Sequence, residues 1–340
     1  MKIILVGGGP SCIALLCYWI RSRHEWFKQQ DFTIIEKKSR LGIGELSQYK
    51  IRSNSVLPAF RNIIPKSIEL DENLKSILDN IGQDFCPLIL VSEMLCTIGT
   101  VICHKYRNIK LKLNTECLRI EKKTAYLNNG DKYTADHIIS AIGGIQTIPD
   151  DYYGTNTLLS TTVLNSENDF TGKRIAIIGA SHSAWSVVWT LNLQYLKPFK
   201  EIHIFSRHKT RVFFRSTKQA KLENYEYDLQ DICPETKQIH RFGGLRGDAK
   251  ETWRNHKNGI YPNIHHTIMS QKADVSGFDI IIIAYNYKRQ EIEGDRSYIK
   301  FGMMSNTYLE CGEPSFQGSK DGIWLYSNHL AEKLTNTILL

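Results

Sequence analysis

The opening residues, KIILVGGGPSCIALLCYWIRSR and then FTIIEK, leave the chain little choice of local fold. Ile3 to Val6 is a short apolar run, broken by Gly7, Gly8 and Gly9. After Pro10 and Ser11, apolar residues recur at helical spacing from Ile13 to Ile20. Phe32 to Ile35 is a second β-rich run and ends at Glu36. Strand, glycine turn, helix, strand, acid is the layout of a dinucleotide-binding βαβ unit. Gly7 permits the tight turn out of the strand, and Gly9, lacking a Cβ, lets a pyrophosphate approach the backbone. The helix start at Pro10 and Ser11 adds free N–H groups and a partial positive charge for that anion. Glu36, with Lys37 beside it, stands where a carboxylate accepts hydrogen bonds from a ribose. The third glycine of the pattern is replaced by Cys12, a small residue that implies a slightly wider helix–strand contact.

A length of 340 residues allows two domains and a full core. No apolar run is read as long enough to span a bilayer, and Gly7 to Ser11 interrupts any resemblance to a signal peptide, so a cytoplasmic protein is expected. The eight cysteines are scattered without a C-x-x-C pair, which excludes a dithiol reductase and zinc-type spacing. No metal site is read. A net charge of +8 points to anionic ligands. The charges are dispersed and no basic-aromatic module occurs, so phosphate-bearing cofactors are expected and nucleic acid is not.

After Glu36, Gly42 and Gly44 mark a loop in which backbone approaches another group, with no clear strand or helix before Pro58. Residues 61–110 read mostly as helix and 111–139 as a small β-meander with an Asn-Gly turn, followed by the buried strand HIISAIGG. Ala141, Gly143 and Gly144 end that strand in a glycine turn.

Beyond a polar connector the opening pattern recurs as RIAIIGASHSAWSVVWTLNLQYL and EIHIFSR. Gly179 makes the turn, Ser181 takes the place of the second glycine, and Ser183 and Ala184 start the helix. The second strand of this unit ends in Arg207, His208 and Lys209 where an acid would favour NAD. Basic residues there suit the 2′-phosphate of NADP. Residues 211–275 have no clear pattern. DIIIIAYNY is a further buried strand, and DGIWLYSNHLAEKLTNTILL reads as strand then helix.

In their order these segments resemble two-dinucleotide-binding-domain flavoproteins, and within them the flavin-dependent monooxygenases that include the N-hydroxylating enzymes. VGGGPSCIA with Glu36 resembles the FAD fingerprint. Gly42-x-Gly44 stands where such proteins close over the FAD pyrophosphate. HIISAIGGIQTIP and DIIIIAYNY resemble the two "ATG" strands, with Ser140-Ala141-Ile142-Gly143 and Ala284-Tyr285-Asn286 in place of the full motif. FTGKRIAIIGASHSA resembles the entry to the NADPH site, and DGIWLYSN, with Gly322, the segment passing the flavin ring. YKIRSNSVLPAF resembles the segment whose Asn, here Asn54, lies near the flavin and helps protect the oxygen adduct at its C4a. No counterpart of the F-x-G-x-H signature stands out, and the chain is shorter than most such enzymes.

The resemblance implies an α/β protein with two Rossmann-like domains. FAD would bind a domain of residues 1–160 and 277–340, and NADPH an inserted domain, 161–276. The activity implied is oxygenation of a small molecule with molecular oxygen through the flavin C4a adduct. A flavin reductase or dehydrogenase of the same fold, or a degenerate nucleotide-binding protein without catalysis, is the alternative.

Overall fold

The computed structural model describes the chain except residues 62–63, 83–84, 166–168, 195–198, 235, 242, 296, 302–330, 333 and 340. Gly322 and the segment DGIWLYSN therefore lie outside the described residues. Two units are present. One comprises Met1–Ser47, Ser55–Ile145 and Arg289–Leu340, the other Gln48–Asn54 and Gln146–Lys288.

The first unit is built on a parallel sheet. Strand β1 (Lys2–Val6) runs into helix α1 (Pro10–Ser22), which leads to β2 (Asp31–Ile35). Helix α2 (Leu88–Lys105) then leads to β3 (Ile109–Lys112). The meander of β4 (Cys117–Glu121), β5 (Thr124–Leu127) and β6 (Lys132–Thr134) precedes β7 (His137–Ser140). The sheet order is Ile299–Lys300, β7, β1, β2, β3. Val6 lies opposite Ile35 on one side and Ser140 on the other, so the ends of all three strands meet at the glycine turn. Four of the five β1 residues are buried, as a central parallel strand covered on both faces requires.

Helix α1 is buried all along from Cys12 to Ile20. Its close contact is made possible by a glycine on the other helix: a Cβ on Gly99 of α2 would lie 2.9 Å from Ile13 Cδ1 and 3.1 Å from Leu41 Cβ. Cys12 itself is fully buried, and burial pushes its thiol well above the ordinary range.

Three local expectations change. Residues 109–112, read as the end of the helical stretch and the start of the meander, join the main sheet beside β2, because Phe32 to Ile35 pair in register with Ile109 to Lys112. The stretch before Pro58 is not structureless: it holds a 3₁₀ turn at Leu46–Gln48 and a strand at Arg52–Val56, followed by a short helix, Leu57–Arg61. Helix α2 does reach the length and apolarity of a membrane-crossing segment. Its inner residues Val91, Met94, Leu95, Ile98 and Ile102 pack in the core of the unit.

The second unit repeats the architecture. Its parallel sheet has the order β8 (Thr157–Leu159), β12 (Ile280–Ile283), β9 (Arg174–Ile178), β10 (Glu201–Ser206), β11 (Ile264–Ile268). Helix α3 (His182–Gln194) connects β9 to β10, and α4 (Gly247–Lys257) precedes β11. Residues 146–160 and 277–288 belong to this unit rather than the first, because β12 pairs with both β8 and β9. The units thus divide near 145 and 289 instead of 160 and 277.

Candidate functional site

The first candidate site is the turn after β1. Gly7 has a φ of +92°, and a Cβ there would fall 2.8 Å from the Ala141 carbonyl carbon and oxygen. The residue is therefore demanded twice, by the turn and by the close approach of the chain leaving β7. Gly9 differs. A Cβ on it would meet only Gly44 Cα, at 3.7 Å, so one side of the turn stays open. Gly9 is also the N-cap of α1 and supplies no side chain to the first-turn N–H groups. An open approach to uncapped N–H groups at a helix start suits a pyrophosphate. Pro10 and Ser11, both half-buried, sit at that start.

Glu36 is buried, and its carboxylate braces the turn. Oε2 accepts from the Gly8 N–H at 2.6 Å and Oε1 from the Lys38 N–H at 2.8 Å. Each oxygen retains accepting capacity for a ribose hydroxyl. Lys37 is exposed; its neighbour Lys38 is the tie, donating from Nζ to the Gly44 carbonyl at 2.6 Å and to Glu45 at 2.9 Å.

Gly42 and Gly44 have separate reasons. At Gly42, φ +77°, a Cβ would lie 2.5 Å from the Leu95 carbonyl group, so this glycine serves packing on α2. At Gly44, φ +46°, it would lie 2.6 Å from Pro10 Cδ, which keeps the loop against the helix start. Ala141 is buried, whereas Gly143, φ +78°, has open space where its side chain would be. The corresponding left-handed position in the second unit is Asn286, φ +64°, whose side chain donates to the Thr147 carbonyl and hydroxyl. Asn tolerates this conformation by such local bonding, so the missing glycine costs no turn.

Asn54 lies on the strand Arg52–Val56 and is exposed, between the buried Ser53 and Ser55. Within the second unit, Arg52 is held by an ion pair to the buried Asp248 at 3.0 Å. Burial presses the Asp248 carboxyl upward, and Arg52 opposes that shift.

The second candidate site is a cavity of about 690 Å³ wholly within the second unit. Gly179, φ +112°, forms its turn, donating to the Phe205 carbonyl at 2.7 Å and passing close to Ala284. Ser181 lines the cavity beside it and accepts from Trp185 N–H at 3.3 Å as α3 begins. Ser183 and Ala184 follow within the helix, Ala184 buried and Ser183 3.4 Å from the Tyr287 hydroxyl. Neither of these two lines the cavity.

Arg207, His208 and Lys209 line it, and all three are exposed. Lys209 is paired with Glu226 at 2.5 Å. Two further cations, Arg211 and Lys272, arrive from segments that showed no pattern in sequence. Lys272 Nζ stands 5.3 Å from the Tyr152 ring centroid and 3.5 Å from Asp151. Tyr152, Phe205, Met269 and Tyr285 add apolar wall. A glycine turn at a helix start, several cations and aromatic surface together fit a phosphorylated nucleotide.

A family model described as L-lysine 6-monooxygenase/L-ornithine 5-monooxygenase matches residues 103–272, half of the chain. A curated relative from Streptomyces rubellomurinus (strain ATCC 31215), a CMP-5′-(3-aminopropyl)phosphonate hydroxylase, is 23% identical over 99% of this chain and 97% of its own. The fold is that of L-lysine 6-monooxygenase from Pseudomonas syringae, with TM-score 0.62, 12% identity, and coverage of 99% and 98% of the two chains. Ornithine hydroxylase (PvdA) from Pseudomonas aeruginosa superposes with TM-score 0.59, 15% identity, and coverage of 99% and 98%.

Proposed function

Since the chain belongs to the L-lysine 6-monooxygenase/L-ornithine 5-monooxygenase family, we propose that it hydroxylates the terminal primary amine of a small molecule. It is an FAD-dependent monooxygenase that uses NADPH. When bound, the flavin would supply redox chemistry that a side chain cannot: acceptance of hydride from NADPH and activation of molecular oxygen. The balance is amine, oxygen, NADPH and a proton to hydroxylamine, water and NADP⁺.

FAD is assigned to the first unit. The observation carrying that assignment is the open Gly9 side of an uncapped helix start, with Glu36 already braced against Gly8. NADPH is assigned to the cavity beside Gly179, where Arg207 and Lys272 supply charge for a 2′-phosphate. Asn54 is assigned the positioning of the nicotinamide amide, since an amide donates and accepts without adding a charge. The protein's own share in the reaction is to bind, orient and exclude water. An amine substrate agrees with the family and with the hydroxylase from Streptomyces, whose name specifies an aminopropyl group. The seven described cysteines are free thiols, which agrees with residence in the cytoplasm.

The test is direct. Purified protein with FAD, NADPH and oxygen is offered lysine, ornithine and a nucleotide-linked aminoalkylphosphonate. Mass spectrometry of the products should find one added oxygen on one of these amines, with NADPH consumed in equal amount. NADPH oxidation that yields only hydrogen peroxide with every amine tested would falsify the N-hydroxylation reading.

A further inference from the structure

The outer face of the second unit's sheet carries a group of side chains that the nucleotide site does not use. On β10, residues alternate between faces: Ile202 and Ile204 are fully buried on one side, while Glu201 and His203 project from the other. The neighbouring strand β11 contains the pair His265-His266, which must divide between the two faces. His266 turns to the covered side, where its Nε2 lies 2.8 Å from Ser206 Oγ and its ring meets Trp185 edge to face. His265 is left on the outer face, directly opposite His203 in the strand register.

Three donor groups converge there. The rings of His203 and His265 are 4.6 Å apart between centroids, with their planes at 67°. Glu201 Oε2 stands 3.7 Å from His203 Nε2. One ligand atom from each of Glu201, His203 and His265 lies within 4.8 Å of the other two. A tetrahedral ion bonded at about 2.0–2.2 Å needs its donors roughly 3.4 Å apart, a contraction that small side-chain rotations supply. Among the described residues neither imidazole makes a hydrogen bond, so both rings retain a nitrogen for a metal.

Arg174 aims the carboxylate. Its Nε donates to Glu201 Oε1, its Nη1 donates to the Gly277 carbonyl at 2.5 Å, and its guanidinium stacks 5.2 Å from the Phe278 ring centroid. Oε1 is thereby occupied and Oε2 left toward His203, the arrangement by which outer partners orient a metal-binding carboxylate. The side chains of Glu201 and His203 are 23% and 29% exposed, which leaves an ion accessible from solvent with a fourth position for water.

We propose that Glu201, His203 and His265 form a binding site for a divalent transition-metal ion of the zinc class, clamping β10 to β11. Two imidazoles and one carboxylate are borderline ligands that suit zinc and reject calcium and magnesium. The clamp sits toward the start of β10, and the far end of the same strand carries Ser206 and then Arg207 into the nucleotide cavity. Its action is structural: it ties together the two strands from which that cavity is built.

The experiment uses full-length, FAD-loaded protein kept reduced and titrated with Zn²⁺ by calorimetry, and with Co²⁺ by visible absorption. The parent protein should take up one ion per chain, show the absorption bands of Co²⁺ bound to nitrogen and oxygen ligands, and melt at a higher temperature with Zn²⁺. His203→Gln and His265→Gln together should abolish the Co²⁺ bands, and Glu201→Gln should weaken Zn²⁺ at least about tenfold. Flavin content and circular dichroism report whether each variant folds. Failure of the parent to bind either ion overturns the proposal. So does unchanged Zn²⁺ affinity in folded Glu201→Gln, or uptake whose Co²⁺ spectrum shows thiolate ligands and so assigns the ion to the cysteines.

Discussion

The Gly8 N–H donates to Glu36 Oε2 at 2.6 Å. This bond joins the glycine turn to the acid at the end of the next strand, so two features separated in sequence form one rigid cradle. A Cβ on Gly9, the next residue, would meet only Gly44 Cα, at 3.7 Å. A bulky side chain there should occupy the pyrophosphate's place while leaving the brace intact. Gly9→Val is expected to fold and to lose its flavin, measured as the flavin-to-protein absorbance ratio. Glu36→Gln keeps an acceptor for one N–H and replaces the other with a donor, and should weaken flavin retention by about tenfold. A fully flavinated Gly9→Val protein sinks the assignment.

Gly42 and Gly143 look alike in sequence and in φ, +77° and +78°. Their surroundings separate them. At Gly42 a Cβ would lie 2.5 Å from helix backbone, whereas at Gly143 nothing lies within 4 Å. Gly143→Ala should cost only the left-handed conformation, about 1 kcal/mol. Gly42→Ala should cost several times as much, because backbone on both sides has to move. Denaturant unfolding monitored by fluorescence compares the two, and equal destabilisation would contradict the packing role of Gly42.

Arg207 lines the second unit's cavity, and so does Lys272 from a different segment. Alanine at either position should raise the dissociation constant for NADPH by about tenfold or more, with a much smaller change for NADH. Lys209 is held closer by its carboxylate, 2.5 Å from Glu226 against 3.5 Å between Lys272 and Asp151, so Lys209→Ala should have the smaller effect. Binding measured by fluorescence titration of the purified variants is independent of turnover. Equal losses for the two nucleotides would exclude a 2′-phosphate role.

Asn54 is exposed on its strand and far in sequence from the pyrophosphate turn. Asn54→Ala should retain FAD and still be reduced by NADPH. If Asn54 holds the nicotinamide amide, loss of that hydrogen bond should weaken the hold by roughly 1 kcal/mol, or more if the partner is left unsatisfied. Peroxide released per NADPH consumed should then rise several-fold while hydroxylated product falls. If neither changes, Asn54 is a strand residue only.

His182 opens α3 beside Ser181, and its Nδ1 lies 3.1 Å from Ser186 Oγ. Burial, with Arg246 adding to it, pushes its pKa down from 6.5 to about 4. A histidine depressed in the folded state binds its proton more readily when unfolded. Its contribution is therefore complete above pH 6.5 and is lost as pH falls toward 4, on the order of 3 kcal/mol in total. The melting temperature should drop across that window, and His182→Gln should flatten the drop. A variant with the parent's pH profile would remove His182 from this account.

Both glycine turns, their helices and their order along the chain were determined by sequence alone. Gly7 and Gly179 each follow a short apolar run and adopt positive φ, and the helices after them carry apolar residues at helical spacing. These are local constraints: a few residues, read together, specify strand, turn and helix, and the basic run after β10 specifies a charge at the cavity mouth. Tertiary structure decided the rest, because it depends on contacts between distant residues. Only the sheet register takes Ile109–Lys112 out of the helical stretch and the meander and places it beside β2. Only the approach of α2 explains Gly42 and Gly99, and only the meeting of separate loops brings Arg211 and Lys272 beside Arg207. Asn286 reads as a lost glycine until its φ and its bonds to Thr147 are seen. Likewise His203 and His265 are 62 positions apart in sequence, and only the pairing of β10 with β11 sets them side by side.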